Sequence, residues 1–371
     1  MRSLSSLLAF PTSWLTLGGW FAALLSCGQS LPSSSPAASL TKPMAAPPTE
    51  KFKLSAGPCA AEGYFVMIQG GAFVNATGKG FPVPSGHVLE GSWGASGTSW
   101  VVGDPQQLVP ERLKLLWFAY AEDKFYEGNF ALPQESIYRL LKQGYWDADK
   151  RQPDTYHKFT VCVLPKGVVV VWLTGGNQTL VGRFQAAETF PTPAAFQRYY
   201  GEVNRATMVR NTQLELPAYV QAEIKAGTIS TKKWDAYLKT YPWQLAFNVP
   251  FALDQPYTIH YRNGEYTNSS LTRELVPYFQ ALLAPGPKPV PKSAVLFGRT
   301  EHGARYKLRL QELDGAETMA AFQALHAASP QSPITLLVTF DKPFTTATLS
   351  LKNETKEISL PKSIVKVFLQ E

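Results

Sequence analysis

Phe159-Thr160-Val161-Cys162-Val163-Leu164-Pro165-Lys166-Gly167-Val168-Val169-Val170-Val171-Trp172-Leu173 is the stretch from which the fold is read. The first five residues alternate as a half-buried strand does. Pro165 and Gly167 fall at i+1 and i+3 of a four-residue turn, the pattern of a type I turn. Val168 to Leu173 is apolar without a break, which marks a strand covered on both faces. Gly175-Gly176-Asn177 turns the chain again into a strand from Thr179 to Gln185, so the whole reads as a three-stranded meander. Outward from it, Tyr64 to Ile68, Leu113 to Tyr120 and Lys124 to Leu132 are further strand patterns. Short apolar runs and dense turn residues give the fold class: α+β, mainly antiparallel sheet or sandwich with helical insertions.

Helices are expected where the period changes. Pro133 opens one over Gln134 to Gln143, closed by Gly144. A second lies between Pro217 and Gly227, and Ser230 is the expected N-cap of a third that carries Trp234, Tyr237 and Leu238. Trp243 to Val249 and Tyr257 to Tyr261 return to strands. Asn263-Gly264 is the two-residue I′ hairpin signal. Pro285, Pro287, Pro289 and Pro291 lie within seven residues, a density that suits a linker. Beyond it Arg305-Tyr306-Lys307-Leu308-Arg309-Leu310 alternates, with three cations on its outer face. A helix from Ala316 to Ala328 turns Met319, Phe322 and Leu325 inward, and four strand patterns complete a small C-terminal α+β domain. No tandem repeat is visible.

The chain of 371 residues is 45% hydrophobic, 12% aromatic and 17% charged, which excludes wholesale disorder. One apolar block, Trp14 to Leu25, is too short to span a bilayer but suits a signal peptide. It leads into Leu24-Leu25-Ser26-Cys27, which resembles a bacterial lipobox with a small residue before the cysteine. The motif implies a signal peptide over 1–26 and lipidation of Cys27, which then becomes the mature N-terminus. Gly28 rather than Asp follows, which implies sorting to the outer membrane, facing the periplasm. The domain plan is a lipidated Ser/Pro/Ala-rich tether over 27–54, a β-rich body over 55–284, a Pro-rich linker over 285–303 and a small α+β domain over 304–371. Three cysteines are an odd number for an exported chain. With Cys27 acylated, Cys59 and Cys162 remain, either as a disulfide or as two buried thiols.

The net charge of +7 is uneven, since residues 286–371 hold eleven basic and eight acidic side chains. Export argues against nucleic acid as partner. The tail cations read as a solvated strand face, or as a surface for an acidic partner or anionic lipid. His87, His157, His260, His302 and His326 show no metal-ligand spacing. Gly94-Ala95-Ser96-Gly97 misses the nucleophile-elbow spacing, and the Gly-rich pairs lack a phosphate-loop context. Carboxylates gather at Glu122-Asp123 and at Asp147, Asp149 and Asp154, without showing the facing pair a glycosidase needs. No catalytic residue, cofactor or metal is therefore expected, and a binding or inhibitory module is favoured over an enzyme.

Leu108-Val109-Pro110-Glu111-Arg112-Leu113, Leu116-Trp117-Phe118 and Lys124-Phe125-Tyr126-Glu127, followed by Leu132-Pro133, Leu164 to Gly167, Val171-Trp172-Leu173, Trp243-Gln244-Leu245 and Asn263-Gly264-Glu265, resemble a family of bacterial lipoproteins with domain of unknown function 2931. Ala119 stands where that family often has Ser. The resemblance spans about residues 55–275 and rests on apolar and turn residues, so it carries over no catalytic residue. It implies an association with type VI secretion lipase loci, and hence an immunity protein that binds a secreted lipase effector. The alternatives are a housekeeping envelope lipoprotein that binds glycan or scaffolds an outer-membrane complex, and an uncatalogued envelope hydrolase.

Overall fold

The computed structural model describes residues 49–100 and 103–370. The expected signal peptide, Cys27 and nearly all of the expected tether lie outside the described residues. Pro47–Glu371 forms one compact unit that holds every described strand and both main cores, and so carries its own packing. The α+β sheet-rich class is as expected, with mostly antiparallel pairing.

The Val-rich stretch builds the first half. Lys158–Val163 and Val168–Thr174 pair antiparallel, and Gln178–Gln185 completes the meander. The connecting turn is not type I. Lys166 and Gly167 both take positive φ (58° and 72°), a left-handed pair whose twist matches the flanking strands. A second sheet of Val66–Val74, Arg112–Ala119 and Lys124–Ala131 faces this one. Phe73, Trp117, Phe159, Val161, Val169 and Val171 fill the space between them. The helix Gln134–Gln143 adds Ile137 and Leu141 to the same core. On the far side of Val168–Thr174, Val168, Val170 and Trp172 pack under Val220 and Trp234 of the helices Ala218–Ala226 and Lys232–Tyr237. That double cover is why the run has no polar alternation. The last of these helices is preceded by Thr231 rather than Ser230.

The second half repeats the first, which the sequence pattern does not reveal. In the first, Ser55–Ala60 lies parallel to Lys158–Val163, and between them come a hairpin (Arg112–Ala119 with Lys124–Ala131) and the helix Gln134–Gln143. In the second, Thr240–Phe247 lies parallel to Ile334–Phe340, and between them come a hairpin (Pro291–Thr300 with Arg305–Leu310) and the helix Gly315–Ala328. Each parallel strand then turns back into an antiparallel one, Val168–Thr174 or Thr346–Lys352. A further strand returns to the hairpin: Ala187–Thr189 in one, Val365–Gln370 in the other. Met319, Phe322 and Leu325 point into the second core, as their spacing predicts.

This repeat corrects the expected domain plan. Residues 285–303 are not a linker, because Gly286–Pro289 and Pro291–Thr300 are strands. The prolines are tolerated because Gly286–Pro289 is the outermost strand of its sheet and Pro291 is the first residue of its own. Residues 304–371 are not a separate domain either, since their core extends back to Tyr241 and Trp243. The ordered body starts before Ser55, with Lys51–Lys53 paired to Gln106–Leu108.

One joint fuses the halves into a fifteen-stranded sheet. Thr258–Tyr261 pairs with Pro291–Thr300 on one side and with Tyr266–Thr267 on the other, and Tyr266 sits opposite Gln178 of the first half. The turn between them is a three-residue loop rather than I′. Gly264 alone takes a positive φ (87°), and the Tyr261 N–H donates to the Glu265 carbonyl over 2.9 Å. The Trp172 indole donates to the Asn263 carbonyl at 3.0 Å, and the Trp93 indole donates to that of Arg262 at 2.8 Å. The two indoles meet edge to face at 4.9 Å. A Cβ on residue 264 would stand 2.9 Å from Trp172 Cζ2. Gly264→Ala is therefore expected to destabilise the body by about 1–3 kcal/mol through backbone strain and the clash, read as a lower urea midpoint.

Candidate interaction surfaces

The sequence-predicted site residues fall in different places. Cys59 and Cys162 are opposite partners in the parallel pair, both buried and both free thiols. Burial pushes the Cys162 thiol up, and the Cys59 thiol against it adds to the rise. The acidic clusters are engaged by cations. Glu122 lies 3.5 Å from Lys166, Asp123 pairs with Arg205 at 2.8 Å, and Asp147 and Asp154 share Lys150 at 2.9 and 2.8 Å. Among the described residues no three His, Cys, Asp or Glu side chains gather as a metal would need. His326 packs edge-on to Tyr241 and His302 is exposed near a hairpin tip, whereas His260 borders a hollow beside Lys292. Ser96 packs near Gly57, and Gly94 lies against Gly264. Gly94 thus belongs to the joint, whereas Ser96 lies by the edge strand Ser55–Ala60.

Two surfaces carry what the core does not use. The first is a helical excursion that the sequence reading missed, Pro193–Tyr200 and Arg205–Glu215. Thr192 and Asn204 cap these helices by accepting from Ala195 and Thr207 N–H. Phe196, Tyr200 and Val209 lie over Phe118 and Phe125, covering the outer face of the first hairpin. Arg205 stacks on both phenylalanine rings at 5.4 Å. Yet Phe190, Tyr199, Val203, Leu214 and Tyr219 stay exposed here, five of the twelve large exposed apolar side chains among the described residues. Such a concentration differs from the single scattered apolar residues of an ordinary surface. A hollow of about 380 Å³ beside them is lined by Pro191, Phe196, Val203 and Arg205.

The second surface is the outer face of the second hairpin, at the equivalent place. Leu308 and Leu310 point to the core, so Lys307 and Arg309 point out. Lys366 is opposite Arg309, and Phe368 is opposite Lys307. Asp254 engages Arg299 at 2.9 Å and Arg305 at 3.1 Å. Lys292, Lys307, Arg309 and Lys366 have no carboxylate within ion-pair reach among the described residues. A hollow of about 420 Å³ lies over Ser293, bordered by His260, Lys292, Arg309 and Glu312. Burial, with the Lys292 charge nearby, pushes His260 down from its ordinary value. Among the described residues no helix is long and apolar enough to cross a membrane.

The fold is that of a duplicated, sheet-rich α+β protein. The chain belongs to the family described as Protein of unknown function (DUF2931), whose profile matches residues 38–231. The match takes in the first unit and the helical excursion and stops before the second unit, leaving Trp243 and Asn263-Gly264-Glu265 outside it. No curated protein and no solved structure matches the chain significantly.

In protein reduced before purification, neither Cys59 nor Cys162 is expected to react with a thiol reagent while folded. Denaturant is expected to release two thiols per Pro47–Glu371 chain, and a count near zero in unreduced protein would reveal a bridge.

Proposed function

We propose that this chain is a non-catalytic binding module of the cell envelope, moored to the outer membrane through Cys27, that inhibits a protein partner by covering it. A secreted lipase effector is the first partner to test, which makes the module an immunity protein. The exposed apolar side chains of the 190–219 excursion carry this reading. Tyr199 and Leu214 lie on the two capped helices, whose inner side is fixed to the hairpin by Phe196, Tyr200 and Val209, while Phe190 and Val203 lie in the segments just before them and Tyr219 opens the next helix. An anchored helix face with aromatic and aliphatic tips resembles the central patch of a protein interface, where a few such side chains supply most of the affinity. Mooring through Cys27 raises the effective concentration of the module at the membrane that a lipase attacks.

A catalytically inactive variant of a secreted lipase effector is the bait. It is expected to capture the body Pro47–Glu371, and Phe190→Ser with Leu214→Ser is expected to weaken capture at least tenfold while leaving the melting temperature within a few degrees. Both side chains are largely solvent-exposed, 82% and 70%, so the fold does not depend on them. Failure of the wild-type body to bind the bait removes the immunity reading. Separately, palmitate is expected to label the full chain and not its Cys27→Ala variant.

A further inference from the structure

The two halves share one framework, yet their hairpins differ in what covers them. In the first, Phe118 and Phe125 are fully buried beneath the helical excursion. In the second, the corresponding outer face has no helix over it among the described residues. It carries rows of cations instead. Across the strands, Thr258, Val295, Arg309 and Lys366 stand side by side, and Phe297, Lys307 and Phe368 form the next row. The Lys307 ammonium lies 5.4 Å over the Phe297 ring, which holds the charge outward on an apolar base. Ile364 and Phe368 flank Lys366 at alternate positions and are 56% and 40% exposed. Neither row contains a carboxylate: Asp254, beside Phe297, is already engaged by two arginines, and Glu312 stands at the rim of the adjoining hollow.

We propose that this face of the second unit, centred on Lys307, Arg309 and Lys366, is a docking surface for anionic phospholipid, and that it lays the moored body against its own membrane. This rests on the reading of the chain as a membrane-moored module. Charge complementarity selects the partner, because cations without carboxylate neighbours gain by lying against an anionic leaflet. Alternating apolar tips select a lipid interface over an acidic protein, since Ile364 and Phe368 have somewhere to go between headgroups. The hollow over Ser293 has His260, Lys292 and Arg309 at its rim against one carboxylate, Glu312, and is of a size to accept one phosphate headgroup. Reach is not limiting: Cys27 and the first described strand are 24 residues apart, a chain that extends at most about 80 Å.

The test is co-sedimentation of the unlipidated body Pro47–Glu371 with vesicles of phosphatidylcholine alone, or with about one third phosphatidylglycerol. Binding is expected only to the anionic vesicles, and it is expected to vanish at roughly 0.5 M salt, where charges are screened within a few ångströms. The triple variant Lys307→Gln, Arg309→Gln, Lys366→Gln is expected to bind about a hundredfold more weakly, about fivefold for each cation removed. A control that neutralises Lys225, Lys232 and Lys239 is expected to lose less than half as much on a logarithmic scale. Equal binding to neutral vesicles, or wild-type affinity in the triple variant, overturns the proposal. So does binding to polyglutamate without binding to anionic vesicles, which assigns the face to an acidic protein. Because the body in this assay carries no anchor and no bait is present, its failure leaves lipase capture and palmitate labelling to stand or fall separately.

Discussion

The continuity of the molecule depends on a glycine pressed against an indole. Each half can close its own core, but they share a sheet only because the 261–265 turn lies flat on Trp172. Gly264 supplies both the positive φ and the missing side chain, and the Trp172 N–H meets the Asn263 carbonyl that this geometry exposes. Gln178 adds hydrogen bonds to the Gly94 carbonyl and to that of Gly264 from the neighbouring strand. Glu265 then turns back and accepts from the Leu180 N–H at 2.7 Å and from the Asn263 amide. Burial pushes the Glu265 carboxyl up, and those two donors pull against that rise. The register of everything downstream follows, because Thr258–Tyr261 sets where Pro291–Thr300 pairs.

Duplication of a framework leaves the inside alike and the outside free to differ. In both halves a helix between the hairpin and the parallel strand packs two or three apolar side chains inward. In both, the middle strand of the outer hairpin layer alternates between core and surface. The contrast lies in the outward positions: phenylalanines under a helical cover in one half, lysines and arginines in the other. The match to a single family profile over the first half is consistent with that asymmetry, since a surface rewritten with new residues loses the sequence likeness that its core strands keep in shape alone.

Local signals in the sequence were legible where one residue type does one job. Val168 to Leu173 read as a strand covered on both faces because no polar residue breaks it. Gln134–Gln143 was placed to the residue by Pro133 and Gly144. Met319, Phe322 and Leu325 were placed inward by helical spacing. What stayed hidden depends on distant partners. Prolines at 285–291 look like a linker until the strand is known to lie at a sheet edge, where a missing N–H costs little. The helices Pro193–Tyr200 and Arg205–Glu215 are hard to read because Tyr199 and Leu214 stay on their outward faces, which blurs the amphipathic period. The pairing of Cys59 with Cys162 follows from a parallel register set across about a hundred intervening residues, beyond the reach of spacing. The basic outer strand shows three cations in the sequence, but their strand neighbours Lys366 and Phe368 belong to a segment sixty residues later.

Both ends of the long sheet finish in strands that contain proline, Ser55–Ala60 with Pro58 and Gly286–Pro289 with two more. A strand that lacks donors along its free side is a poor template for another chain. At high local concentration this protects against fibril growth, because copies pressed together find no open template at either end of the long sheet.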